Sequence, residues 1–155
     1  MYTTKTFSCF GHLNVNLTDE LKERIRDEIY KAIVLGYRVF LFGGRSNFED
    51  FVYDIISEFA DGNKFLFIKR IFCFPLDSHL RKPPAWYVRK KYEGYDCPVK
   101  KFDSWYKSIY YRNCAMIDQS DFVLFYAEER PDSGAYKTYK YAVKTKKNLV
   151  NLALD

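Results

Sequence analysis

The chain has 155 residues, 48% of them hydrophobic, and its 25 basic and 20 acidic side chains leave a net charge of +5. That length and apolar content exclude a disordered chain and fit one domain, residues 1–155, with a substantial core. The charge mildly favours anionic partners without approaching a polycation, and four scattered cysteines beside two histidines argue against a zinc site or a disulfide framework. No metal and no cofactor is therefore expected.

Lys5 to Phe10 is a short apolar run that reads as a first strand, ended by Gly11-His12. Thr18 can cap a helix whose first turn carries Asp19 and Glu20. Leu21, Ile25, Ile29, Ala32 and Ile33 recur at helical spacing, and Gly36 is a natural stop. Tyr37 to Phe42 reads as a second strand, closed by Gly43-Gly44. Ser46-Asn47-Phe48-Glu49 fits a capping box, followed by a helical apolar stripe from Phe48 to Phe59. Asp61-Gly62-Asn63 is a turn, and Lys64 to Phe74, ended by Pro75, reads as a third strand. Residues 76–104 have no clear period, although Tyr95 to Val99 has the makings of a short strand. Tyr106, Ile109, Tyr110, Asn113, Met116 and Ile117 mark a third long helix. Phe122 to Ala127 follows as a strand, Pro131 to Gly134 as a turn and cap, Ala135 to Lys146 as a helix, and Leu149 to Leu154 as a last strand.

Strand and helix therefore alternate. The strands are continuous apolar runs, as expected where both sheet faces are covered, and the helix-length connections suit parallel pairing. The expected fold is α/β: a three-layer, Rossmann-like open and mostly parallel sheet with helices on both faces. No apolar run approaches the ~18 residues of a membrane span. No basic segment followed by an apolar stretch opens the chain, so no signal peptide is expected and the cytoplasm is the default.

In such sheets ligands bind beyond the carboxyl ends of the strands. That edge collects Gly11-His12, Gly43-Gly44-Arg45-Ser46-Asn47 and the segment ending in Ser133-Gly134. A glycine lets a ligand approach the backbone, and a helix start offers unpaired N–H groups that suit phosphate or carboxylate. Arg45 can add a bidentate contact. The same glycines also serve plain strand–helix turns. Arg112 and Asn113 fall on the third long helix, and Asn113 lies on its apolar stripe, where a polar amide needs either a loop partner or a ligand. Residues 81–91 mix basic and aromatic side chains. They read as a solvated loop, as a lid in which Trp86 or Tyr87 stacks on a base, or as a nucleic-acid contact.

Several of these pieces line up in order. Phe10-Gly11-His12, the Gly-Tyr-x-x-Phe-x-x-Gly-Gly of 36–44, the Tyr-x-Arg-Asn-x-x-Met-x-Asp-x-Ser-Asp of 110–121 and the Ser-Gly-Ala-Tyr-x-Thr-x-x-x-Ala of 133–142 resemble the motif series of the YpsA-like branch of the SLOG superfamily. That superfamily also contains the Lonely-guy phosphoribohydrolases and the DNA-processing protein DprA. The resemblance implies a Rossmann-like fold and a site for a nucleotide or a nucleotide-derived ligand such as ADP-ribose. Carried over by position, that site uses Gly11, His12, Gly43, Gly44, Arg112, Asn113, Ser133, Gly134 and Thr138. It also implies self-association into a homo-oligomer. The leading expectation is binding or sensing of the nucleotide-like ligand. The alternatives are N-glycosidic hydrolysis with Glu49 as the catalytic carboxylate, and single-stranded nucleic-acid binding through residues 81–91.

Overall fold

Six strands form one sheet in the order β4-β3-β2-β1-β5-β6, and every pairing is parallel. The strands are β1 (Thr6–Gly11), β2 (Val39–Phe42), β3 (Lys69–Cys73), β4 (Gly94–Asp96), β5 (Phe122–Tyr126) and β6 (Leu149–Asn151). The helices between them are α1 (Asp19–Val34), α2 (Asn47–Gly62), the short α3 (Ser78–Arg81), α4 (Trp105–Gln119) and α5 (Gly134–Lys144). This computed structural model describes residues 4–85, 90–98 and 104–154. Trp86 and Tyr87, the expected lid residues, lie outside the described residues.

The strand alternation divides the apolar side chains between two layers. Phe7, Cys9, Phe40, Phe42, Phe72 and Leu124 point to one face, where they pack with Leu21, Ile25 and Ile29 of α1 and Phe48, Val52, Ile55 and Ile56 of α2. Phe10, Val39, Leu41, Ile71, Cys73, Val123 and Phe125 point to the other face. There they meet Met116 and Ile117 of α4 and Ala142 of α5. The sheet thus lies between two helical layers, and both of its faces are dry.

The chain first steps outward from β1 through β2 and β3 to β4, then returns past β1 to β5 and β6. Because parallel crossovers keep one hand, the reversal moves the helices to the opposite face. α1 and α2 therefore cover one side, and α4 and α5 the other. The reversal also fixes the topological switch point between β1 and β5, where the connections leaving the two strands run to opposite faces of the sheet.

Several boundaries differ from the sequence expectation. Lys64 to Phe74 is not one strand. Lys64–Leu66 is a turn of 3-10 helix, Phe67 adopts a left-handed backbone (φ 54°), and β3 begins only at Lys69. The chain must reverse after α2, and Phe65 and Phe67 face outward in that reversal, so an apolar run is spent on a turn. Of the expected strand Tyr95 to Val99, the described residues form Gly94–Asp96, after which the Asp96 carboxylate accepts the N–H of Cys97; Val99 lies outside the described residues. The last strand ends at Asn151 rather than Leu154, because the Asn151 side chain turns in to bond the backbone of Ala127. α5 ends at Lys144, two residues early, with Lys146 in a left-handed conformation (φ 59°). The four-residue α3 lies in the stretch without a sequence period.

A buried cation anchors the opposite end of the sheet. Arg70 on β3 is 1% exposed; it donates to both carboxylate oxygens of Glu93, to Asp61 and to the Ser57 hydroxyl. Such a charge is tolerated only with this degree of pairing. The network ties the end of α2, β3 and the start of β4 together, on the side away from the strand ends described next.

Candidate functional site

The topological switch point lies at the carboxyl ends of β1 and β5, where open α/β sheets form their ligand crevice. At that point β1 delivers Gly11 and His12, and β5 runs into the loop leading to α5. His12 is buried and joins the two. Its Nε2 accepts the N–H of Glu128 at 2.8 Å, and its Nδ1 lies 3.1 Å from the Ser133 hydroxyl. An Nε2 that accepts a backbone N–H carries no proton, so the proton of the neutral ring sits on Nδ1 and is donated to Ser133. Burial is the main cause holding the His12 pKa below its ordinary value; Arg130 adds to it and Glu128 opposes it.

Ser133 is the N-cap of α5. Its hydroxyl accepts the Tyr136 N–H and its carbonyl the Lys137 N–H. Of the first-turn donors this leaves the N–H groups of Gly134 and Ala135, which have no acceptor among the described residues. They border a cavity of about 540 Å³ whose lining includes Gly11, His12, Leu13, Arg130, Asp132, Ser133, Gly134 and Ala135. A Cβ built on Gly134 would meet nothing within 4 Å, so the space above this residue is open.

The Gly43-Gly44 turn is built differently. A Cβ on Gly44 would lie 1.9 Å from Glu49 Oε2, and one on Gly43 would lie 2.9 Å from the guanidinium carbon of Arg112. The room these glycines create is filled by the chain's own side chains. Glu49 is buried, accepts the Gly44 N–H at 2.9 Å and accepts the Ser46 hydroxyl at 3.0 Å, while Ser46 in turn accepts the Glu49 N–H. The expected capping box is thus present at the Ser46 end, but its carboxylate reaches back to Gly44. Burial raises the Glu49 pKa above the usual carboxylate value; the nearby Arg112 charge and the two hydrogen bonds pull the other way.

Arg112 is buried and donates to the carbonyls of Gly43 and Cys73, so one side chain on α4 closes the ends of β2 and β3. It also donates to Asn113 Oδ1, and Asn113 Nδ2 donates to Thr138 Oγ1 at 3.2 Å, linking α4 to α5. Of the two options for Asn113, then, a partner inside the protein is present. Asn47 clamps the β1–α1 loop, accepting the Val15 N–H and donating to the Val15 carbonyl. Arg45 is exposed at the rim of a smaller cavity of about 180 Å³, shared with Gly11, Gly44, Glu49, Arg112 and Asn113.

The candidate residues therefore fall into two groups. Gly11, His12, Ser133 and Gly134 surround open space. Gly43, Gly44, Ser46, Asn47, Glu49, Arg112, Asn113 and Thr138 form the hydrogen-bonded frame behind it, several of them reaching the smaller cavity. Three contributors were not singled out in the sequence. Asn151, a polar residue inside an apolar strand, holds Ala127 at the end of β5 by both its N–H and its carbonyl; the same cue singled out Asn113. Arg130 and Asp132 lie in a loop without periodicity and had no such cue.

Fold and crevice together define an open, all-parallel α/β protein of the Rossmann-like class. No family model matches the chain, and no curated protein matches it. No helix among the described residues is long and apolar enough to cross a membrane. Among the same residues, no group of three or more His, Cys, Asp or Glu side chains is placed to hold a metal ion.

Proposed function

We propose that this chain binds a nucleotide-derived anionic ligand, of the ADP-ribose kind, in the crevice between β1 and β5. The observation that supports the reading is a cavity of about 540 Å³ at the switch point, lined by Gly134 and Ala135, whose N–H groups have no acceptor among the described residues. A phosphate oxygen placed there meets two backbone donors, the positive end of α5 and the guanidinium of Arg130, which also pairs with Glu128. Asp132 suits ribose hydroxyls. The ordered resemblance to the YpsA-like branch of the SLOG superfamily supports the same ligand class, and self-association belongs to this reading as well.

Binding is favoured over N-glycosidic cleavage because the Glu49 carboxylate is already committed to Gly44 and Ser46. It is favoured over a nucleic-acid contact at 81–91 because the crevice is the built feature of this edge. The test is thermal unfolding with AMP, ADP, ADP-ribose and cyclic nucleotides. A ligand present at ~100 times its dissociation constant adds about 2.7 kcal/mol to stability and raises Tm visibly. If none of them shifts Tm, the reading fails.

A further inference from the structure

A second groove, of about 850 Å³, runs between α4 and α5, and its chemistry is unlike that of the crevice. Tyr106 and Tyr110 of α4 form one wall, and Tyr141, Lys137, Lys140 and Lys144 of α5 form the other. Lys107 extends the basic character onto α4. The α5 lysines recur at intervals of three and four residues, so they make one stripe about 10 Å long on a single side of the helix.

Three observations show that folding does not account for this surface. First, the groove gathers four lysines, Lys107, Lys137, Lys140 and Lys144, against a single lining acid, Asp132. Lys107, Lys137, Lys140 and Lys144 make no ion pair among the described residues, and like charges on successive turns repel. Second, the nearest acid on α4, Asp118, is taken by the Tyr141 hydroxyl at 2.7 Å. Third, Tyr106 is 83% exposed and has no ring partner among the described residues.

We propose that the α4–α5 groove binds single-stranded nucleic acid. An unstacked base offers a face to Tyr106 and Tyr110, while its phosphates meet the lysine stripe of α5. A duplex hides its base faces from such rings, and an acidic peptide has no use for them. The inference does not depend on the nucleotide reading of the β1–β5 crevice.

The experiment is fluorescence anisotropy of the intact chain with labelled oligo-dT and oligo-rU of about 12 nucleotides, at salt from about 50 to 200 mM. The wild type should bind with a steep salt dependence. Lys137→Ala/Lys140→Ala/Lys144→Ala should weaken binding at least about tenfold and flatten the log–log salt slope by about 2, near 0.7 for each lost phosphate contact. Tyr106→Ala should weaken binding roughly tenfold and Tyr106→Phe should not, because stacking needs the ring alone. Lys64→Ala/Lys69→Ala, at the far end of the sheet, should change neither quantity. Circular dichroism of each variant establishes that it is folded. The proposal is overturned if neither oligonucleotide binds, if the triple variant keeps the wild-type slope, or if polyglutamate or phosphatidylserine vesicles compete equally while Tyr106→Ala is silent.

Discussion

The Nδ1 of His12 lies 3.1 Å from the Ser133 hydroxyl, so the end of β1 is bonded to the cap of α5 across 121 positions of sequence. The other ring nitrogen accepts the Glu128 N–H, so a single imidazole sets the width of the crevice. Protonation at Nε2 would break that second bond.

Stability should therefore depend on pH through His12. Its folded pKa is depressed, so as pH falls the unfolded chain takes up the proton first. The contribution of the neutral ring is fully present above about 6.5 and is lost as pH drops through that value toward the lower folded one. Tm measured down to pH 5 should fall more steeply for the wild type than for His12→Gln, whose amide oxygen can accept the Glu128 N–H without titrating in this range. Parallel curves would remove His12 from this role.

Gly134 offers a separation of folding from binding. Gly134→Leu puts a side chain into open space at an ordinary backbone conformation, so stability should stay within about 1 kcal/mol of the wild type or rise, as the better helix former replaces glycine. Gly134 lines the crevice, so any nucleotide-induced Tm shift should disappear. A retained shift would place the ligand elsewhere.

The opposite holds at Gly44. A Cβ there overlaps the Glu49 carboxylate, so Gly44→Ala should destabilise the chain by roughly 1–3 kcal/mol in urea unfolding. Glu49→Gln should be far milder, because the amide oxygen can still accept the Gly44 N–H and the amide nitrogen can donate to Ser46. If Glu49→Gln proves as damaging as Gly44→Ala, the carboxylate charge does more than close the turn.

Arg112→Lys keeps the charge but cannot span two carbonyls and an amide. The loss of the planar fork should cost about 2 kcal/mol, visible as a lower urea midpoint with unchanged slope.

Much of this architecture was legible before any coordinates. The helical stripe from Leu21 to Ile33 and the S-x-x-E start at Ser46 mark elements that form where expected, because burial period and capping chemistry are local properties. Phe65 and Phe67 misled because strand propensity is also local, whereas the need to reverse the chain between α2 and β3 is not. The edge residues Gly11, His12, Ser133 and Gly134 could be grouped from topology alone. What could not be read was which glycine faces space and which faces a side chain. Gly44 and Gly134 look alike in sequence, and only the position of Glu49 distinguishes them.

The margins of the sheet carry a consequence of their own. β4 and β6 are each three residues long, and each presents only that short row of backbone groups to the outside. A neighbouring copy has too little free ladder to extend the sheet into a continuous, fibre-like array. Association through side chains avoids that limit, and there a single surface substitution can abolish it without disturbing the fold beneath.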